Sequence, residues 1–295
     1  MATTAPADGP LFSVLLPTHD SPDTLGLSIA SVLAQTRTDF ELLVVGDGCT
    51  GPEADIVQGF GDPRIRWFDL PKAPGFGYAN RNIALRQARG QLIAMAADDD
   101  LMLPGHLCGM AAEFTNPEVQ WAYCRPLWVT GDGLILPAYA NLRLTHARQN
   151  FMGHFNMIPS GCVVHRRSCL DEVAFWPENI LKSGDWHLWR QMIQHYGPAS
   201  IRFNSRPTQL HFRARWRDET DEFWPRFLVH LRAVALAGPG WYPPLRIEPA
   251  GGRSFQAQFW HELQSSPNRA ERIAQAVQSF QDQLAWQATQ AHLFN

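Results

Sequence analysis

The chain has 295 residues, 45% of them apolar and 18% charged, with a formal net charge of −3. That is enough chain to bury a full core, and the charge balance offers no broad basic field for nucleic acid or an anionic membrane. The longest apolar stretches, such as Leu92–Ala97, fall far short of a membrane-spanning helix.

Residues 1–10 (MATTAPADGP) carry neither a basic start nor an apolar run, so they read as a flexible tail and not a signal peptide. Phe12–Leu16 is a short apolar strand ended by Pro17. Ser21-Pro22 supplies an N-cap and a first-turn proline for a helix carrying Leu25, Ile29 and Val32 at helical spacing. Glu41–Val45 is a second buried strand, stopped by Gly46-Asp47-Gly48. A helix over Glu53–Phe60 and a strand over Ile65–Leu70 follow, then a glycine-rich turn at Pro74–Gly77 and a helix over Ala79–Arg89 that Gly90 can end. Gln91–Ala96 is the next strand and runs straight into Asp98-Asp99-Asp100. This alternation predicts an α/β fold with a mostly parallel sheet covered by helices on both faces.

Farther on, strands are expected at Gln120–Cys124 and Gly161–His165, and helices at Ser168–Ala174 and from Asp185 to Tyr196. Beyond Arg215 the chain becomes aromatic-rich and helical over Phe223–Leu236, Ser254–Leu263 and Asn268–Leu293, broken by the Pro/Gly-rich segment Gly238–Gly252. The five cysteines, Cys49, Cys108, Cys124, Cys162 and Cys169, show no CxxC spacing, which argues against a disulfide framework or zinc knuckle and makes a reducing cytoplasm the simplest context. Lys72 and Lys182 are the only lysines, which reads as compositional bias rather than function.

Ligands of open α/β sheets bind beyond the carboxyl ends of the strands. Three polar clusters stand at such ends: Pro17-Thr18-His19-Asp20, Gly46-Asp47-Gly48 and the aspartate triplet. Three adjacent carboxylates repel one another, and a divalent cation such as Mg²⁺ or Mn²⁺ would compensate them. A solvated acidic turn capping the helix that starts near Pro104 is the competing reading. Asp185 faces the same choice between a helix cap and a catalytic base. It shares a helical face with Trp189, Met192, Ile193 and Tyr196.

From Phe12 to about Arg190 the chain resembles family 2 glycosyltransferases of the GT-A fold. FSVLLPTHD resembles that family's strand-plus-PTYN signature, and SIASVLAQTRTDFELLVVGDGCTG its helix, strand and DDGSTD turn. YANRNIALRQARGQLIAMAADDDLMLPGHL resembles the stretch ending in its DXD motif, and SGDWHLWRQMI its EDxxLWxR segment. The resemblance implies a GT-A domain over 11–215, with a nucleotide-sugar half at 11–103 and an acceptor half at 104–215, followed by a helical region at 216–295. It places Pro17, His19 and Asp20 in the nucleotide pocket and makes Asp47 the carboxylate that reads the base. Arg81 and Asn82 match an arginine–asparagine pair beneath the donor, Asp98 lies near the ribose, Asp99 is the main metal ligand and Asp185 the base. His211 would complete the metal shell, with Arg213 or Arg215 on the diphosphate; Asp100 and His106 are left as capping or surface residues. Gly46, Ala97 and Gly184 stand where the family usually has acidic residues.

The implied activity is inverting, hexosyltransferase-like transfer from a UDP- or dTDP-sugar to a hydroxyl of a glycan, lipid-linked or small-molecule acceptor in bacterial glycan or glycoconjugate synthesis. It would depend on Mn²⁺ or Mg²⁺ and take place in the cytoplasm or peripherally at the inner membrane. The rivals are a sugar-nucleotide or glycan-binding relic of the same fold, suggested by the three departures, and a nucleotidyltransferase, which would want a basic glycine-rich loop where PTHDSPD stands.

Overall fold

The computed structural model describes residues 9–138, 140–212, 226–237 and 242–294. The tail expected at 1–10 and the boundary placed at 215 fall largely or wholly outside them.

The first half alternates as the pattern requires: β1 (Phe12–Thr18), α1 (Pro22–Leu33), β2 (Phe40–Asp47), α2 (Glu53–Gly59), β3 (Ile65–Leu70), α3 (Tyr78–Leu85) and β4 (Leu92–Met95). Then come β5 (Leu101–Met102), α4 (His106–Glu113), β6 (Trp121–Val129), β7 (Ile135–Pro137), α5 (Thr145–Gly153), β8 (Val163–Arg166), α6 (Ser168–Glu172), α7 (Gly184–Tyr196) and β9 (Ile201–Phe212). Among the described residues three α-helices follow: α8 (Arg226–Ala237), α9 (Phe255–Ser265) and α10 (Arg269–Phe294).

The strands form one sheet in the order β3-β2-β1-β4-β8-β6-β9-β5, with β7 paired to β6. The first four run parallel. β8 is antiparallel to both β4 and β6, β6 and β9 are parallel, and β5 closes the edge antiparallel to β9. All eight residues of β2 are buried, as expected for a strand covered on both faces. β9 is the element the sequence conceals: Asn204, Ser205, Arg206 and Pro207 interrupt its apolar run. The ladder with β6 shifts register at Cys124 to Pro126 to absorb them.

Two cores result. The larger packs Leu15, Leu25, Ile29, Leu43, Trp121 and Trp189 around the parallel strands. In the second, Leu101, Leu127 and Leu210 of the sheet meet Phe259, Ile273 and Val277, so the C-terminal helices cover the far edge. α1 does more than pack. Its Ser28 hydroxyl donates to the Asp100 carbonyl at 2.8 Å, and Ser31 accepts from the Met102 N–H at 3.1 Å. The acidic turn after β4 is thereby fixed by α1.

At the other end of β2 sits Glu41, 1% exposed. It accepts from Ser13 Oγ (2.7 Å), the Arg89 N–H (2.6 Å), Arg89 Nε (2.9 Å) and Arg66 Nη1 (3.1 Å). Burial pushes its carboxyl up, but the bonds from Ser13, Arg89 and Arg66 outweigh that and hold it below its ordinary value. A depressed carboxyl stabilises the fold above its unfolded pKa, and that contribution is lost as pH falls through the folded value. Glu41→Gln should therefore cost about 2 kcal/mol in urea unfolding at pH 7, the scale of a charged hydrogen bond, with the difference shrinking in acid. An equal deficit at pH 7 and pH 3 would contradict this.

Candidate active site

A cavity of about 530 Å³ opens where the carboxyl ends of β1, β2 and β4 converge. Pro17, His19, Asp20, Asp47, Arg81, Asp98 and Asp99 all line it, so seven residues picked from sequence meet at one place. Lys72, Phe76, Ser160, Trp176 and Gln256 line it too. Gln256 brings α9, a C-terminal helix, to the wall. Two described non-glycine residues adopt left-handed backbone, Asp20 (φ 48°) and Ser183 (φ 57°). Asp20 is at the cavity and Ser183 sits two residues before Asp185, where such strain tends to concentrate.

The three aspartates have three different surroundings. Burial pushes the Asp98 carboxyl up, opposed by the nearby Thr18 and Ser21 hydroxyls and by the His19 N–H, 3.4 Å away. Asp100 is 2% exposed and is neither a surface nor a capping residue as expected. It accepts from His211 Nδ1 at 2.9 Å and from the Phe212 N–H at 2.9 Å. Asp99 lies between them, and burial together with repulsion from Asp100 and Asp98 pushes it up to about 8, eased only slightly by His211.

His211 is thus oriented by a buried carboxylate, and Nε2 is the atom through which its ring would ligate. His106, also expected at the surface, is fully buried with Nδ1 2.8 Å from Thr208 Oγ1. Arg213 and Arg215 lie outside the described residues.

Arg81 stands in α3 with its guanidinium carbon 4.7 Å from the Trp176 ring centre and 5.1 Å from that of Tyr78. Its Nε is buried without a hydrogen-bond partner among the described residues, and burial pushes its pKa down. Asn82 departs from the expectation of a donor contact. Its amide donates to the Trp176 carbonyl (2.8 Å) and Glu178 (2.7 Å), and its oxygen accepts the Trp176 N–H (3.0 Å). It holds Trp176 in place for Arg81 and does not line the cavity.

Asp47, 4% exposed, accepts from the Ala73 N–H (2.8 Å), from Asn80 Nδ2 (2.7 Å) and from the Lys72 ammonium. Lys72, set aside as compositional bias, is therefore part of the site.

Asp185 is the second residue of α7, whose N-cap is Ser183, so it is not the cap. Its Oδ1 accepts the Trp186 N–H at 2.7 Å. Burial pushes its carboxyl up, opposed by that N–H, by Arg81 and by His211. Asp185 therefore shares the field of the cavity's cation without lining its wall.

The glycines at 46 and 184 have a steric cause. A Cβ at Gly46 would meet the Trp67 ring at 2.4 Å, and one at Gly184 the Tyr78 ring at 2.6 Å. Large aromatic neighbours occupy the volume an acidic side chain would need. No comparable contact accounts for Ala97.

Among the described residues no three His, Cys, Asp or Glu side chains converge to hold a cation unaided. One half-buried carboxylate, Asp99, and an oriented histidine fit Mg²⁺ or Mn²⁺, which complete their shells with water and substrate phosphates. No described helix is long and apolar enough to cross a membrane.

A family model described as glycosyl transferase family 2 matches residues 13–174. WfgD of Escherichia coli, a UDP-Glc:α-D-GlcNAc-diphosphoundecaprenol β-1,3-glucosyltransferase, is 26% identical over 196 residues, covering 66% of this chain and 74% of its own. The chain spans only 30% of the length of another relative, from Sinorhizobium fredii, to which it is 28% identical. Among solved structures, residues 1–349 of Staphylococcus aureus TarS in complex with UDP-GlcNAc superpose with a TM-score of 0.58 at 19% identity, covering 76% of this chain and 65% of that one. PcManGT, a mannosyltransferase from Pyrobaculum calidifontis in complex with GDP-Man and Mn²⁺, gives 0.54 at 16% identity, covering 97% and 80%. Such likenesses establish the fold, which is of the GT-A type.

The raised Asp99 carboxyl has a consequence for the metal-free protein. A group whose folded pKa exceeds its unfolded value of 3.8 contributes stability that is complete below that value and lost as pH rises through about 8. Asp99→Asn should raise the metal-free melting midpoint at pH 8 by about 2–4 °C, the shift that roughly 1 kcal/mol produces in a domain of this size. The gain should disappear at pH 4. A lowered midpoint at pH 8 would mean that the charge is compensated within the protein.

Proposed function

We propose a reaction for this chain from the premise that it belongs to glycosyl transferase family 2: inverting transfer of a sugar from a UDP- or dTDP-sugar to a hydroxyl acceptor in bacterial glycan synthesis. One observation carries the reading. The same cavity holds a guanidinium whose buried Nε has no partner among the described residues and a half-buried carboxylate raised by desolvation and by its acidic neighbours. A nucleoside diphosphate with its divalent cation supplies the missing partner to each, an anion for Arg81 and a cation for Asp99.

In this reading Asp99 and His211 hold the metal, and Asp100 orients the histidine. When bound, the metal would offset charge developing on the departing diphosphate. Arg81, held against the stacked Trp176 and Tyr78 rings, binds the diphosphate in a fixed direction. Asp47 accepts a ring N–H of the base, while Pro17, His19, Asp20 and Asp98 wall the nucleoside. Asp185 takes the acceptor's hydroxyl proton as the new bond forms, and its burial-raised carboxyl is the better base for it. One base is enough for inversion, unlike the carboxylate pair of a hydrolase.

Residues 11–103 then serve mainly the donor and 104–215 mainly the acceptor, with His211 and Trp176 returning to the donor site and the C-terminal helices lending Gln256. WfgD acts on a diphosphoundecaprenol-linked sugar; a lipid-linked glycan is the acceptor class this chain would be offered first. The steric origin of Gly46 and Gly184 supports an active enzyme over a relic, because those departures come with large aromatic neighbours and leave Asp47 and Asp185 in the field of Arg81 and Asp99 on the wall of the same cavity.

Asp185→Asn tests the mechanism. It preserves size and the bond to the Trp186 N–H, so a purely structural role leaves turnover within a few-fold of the parent. Loss of the base should lower turnover by about 10²–10⁴-fold with donor affinity unchanged. If donor affinity collapses instead, as read by calorimetry, Asp185 belongs to the diphosphate shell.

A further inference from the structure

We propose that Tyr78 is the positioning residue for Asp185: its hydroxyl holds the first turn of α7 while its ring holds Arg81. The inference rests on the transfer reading above and adds a hydroxyl which that reading leaves unused.

α7 begins without an ordinary cap. Its N-cap residue, Ser183, has φ 57°, and the serine side chain accepts no N–H of the first turn. The buried Gly184 N–H is satisfied from another element instead. It donates to the Tyr78 hydroxyl oxygen at 2.9 Å, across 106 residues of sequence. Tyr78 opens α3 and is 4% exposed. The contact leaves no room for a side chain at 184, since a Cβ there would stand 2.6 Å from Tyr78 Cζ. Glycine is a poor helix former, so its place in the first turn of α7 follows from this approach and not from propensity.

The other face of the argument is Arg81. The Tyr78 ring stacks on Trp176 with centroids 5.5 Å apart, and the Arg81 guanidinium carbon is 5.1 Å from the Tyr78 ring centre. One side chain therefore touches both the cation that takes the diphosphate and the residue before the proton acceptor. Asp185 Oδ1 accepts the Trp186 N–H of the same turn at 2.7 Å, so the direction of the carboxylate follows the turn that Tyr78 fixes. Burial, above all, raises the Tyr78 phenol from its ordinary value, so it stays neutral. A neutral oxygen supports the turn without setting a second negative charge beside Asp185, as an acidic residue at 184 would.

In the transfer, the acceptor oxygen bonds to the anomeric carbon and its proton passes to Asp185. The diphosphate leaves with the electron pair of the broken bond. Tyr78 exchanges no proton; it sets where the carboxylate stands relative to Arg81, and a shift of about 1 Å there is worth roughly 100-fold in rate.

The test is Tyr78→Phe in the full chain, which keeps the ring for Trp176 and Arg81 and removes only the hydroxyl. Release of UDP from UDP-glucose and UDP-GlcNAc with Mn²⁺, water serving as acceptor, gives turnover; calorimetry of UDP with Mn²⁺ gives affinity and the number of sites per chain. Y78F should lower turnover by about 10-fold or more. Its UDP affinity should stay within about 2-fold of the parent, with the same number of sites, as for an interaction that matters only in the transition state. A merely structural role would reduce turnover and the number of sites together, and would overturn the proposal. So would unchanged turnover, or a loss of UDP affinity that accounts for the whole effect. If Y78F does not fold, Gly184→Ala disturbs the same contact from the α7 side and carries the same comparison. A parent that releases no UDP from either sugar nucleotide removes the transfer reading and this inference together, a result distinct from a Y78F variant as fast as its parent.

Discussion

Three consecutive carboxylates at the end of a buried strand are the constraint around which this molecule is arranged. Each would be costly to bury alone, and the fold treats each differently. Asp100 is drawn inward and bonded by His211 and Phe212 at the end of β9, with its own carbonyl held by Ser28 of α1. Asp98 is approached by the β1–α1 turn through the His19 N–H. Asp99 accepts no side-chain hydrogen bond among the described residues, and repulsion from its neighbours adds to its desolvation, eased only slightly by His211. The sheet order follows the same need, since β5 must pair with the end of β9 for His211 to reach the turn that precedes it.

The second charge of the site is handled in the opposite way. Arg81 is packed against two stacked aromatic rings, which suit a guanidinium but offer no hydrogen-bond acceptor in its plane. Asn82, the next residue in α3, secures one of those rings by three hydrogen bonds to the Trp176–Glu178 segment. A loosely solvated arginine would lose freedom on meeting a diphosphate; this one is already fixed.

The parallel half of the fold was legible because its strands are uninterrupted apolar runs ending in polar clusters, and those clusters mark where the cavity forms. β9 was not, because Ser205 and Arg206 sit in a bulge that only its pairing with β6 explains. The acid turn was legible as a charge cluster, but the division of labour within it was not. Which aspartate faces inward depends on His211, 111 residues away in sequence. Asn82 was misread because adjacent residues on a helix point in different directions, so a motif's two letters need not share a site. Lys72 and Trp176 carry no local signal at all. They reach the cavity from loops whose course is set by Gly77 and Asn82.

The central claim is that Asp99 and Arg81 are two halves of one cation–diphosphate site. Its most direct test is anomalous diffraction from crystals grown with UDP and Mn²⁺. The account predicts a manganese peak within coordination distance of an Asp99 carboxylate oxygen, with the His211 ring at or near the same shell and diphosphate oxygens between the metal and Arg81. A nucleotide bound with no manganese beside Asp99, or with its diphosphate turned away from Arg81, would contradict it.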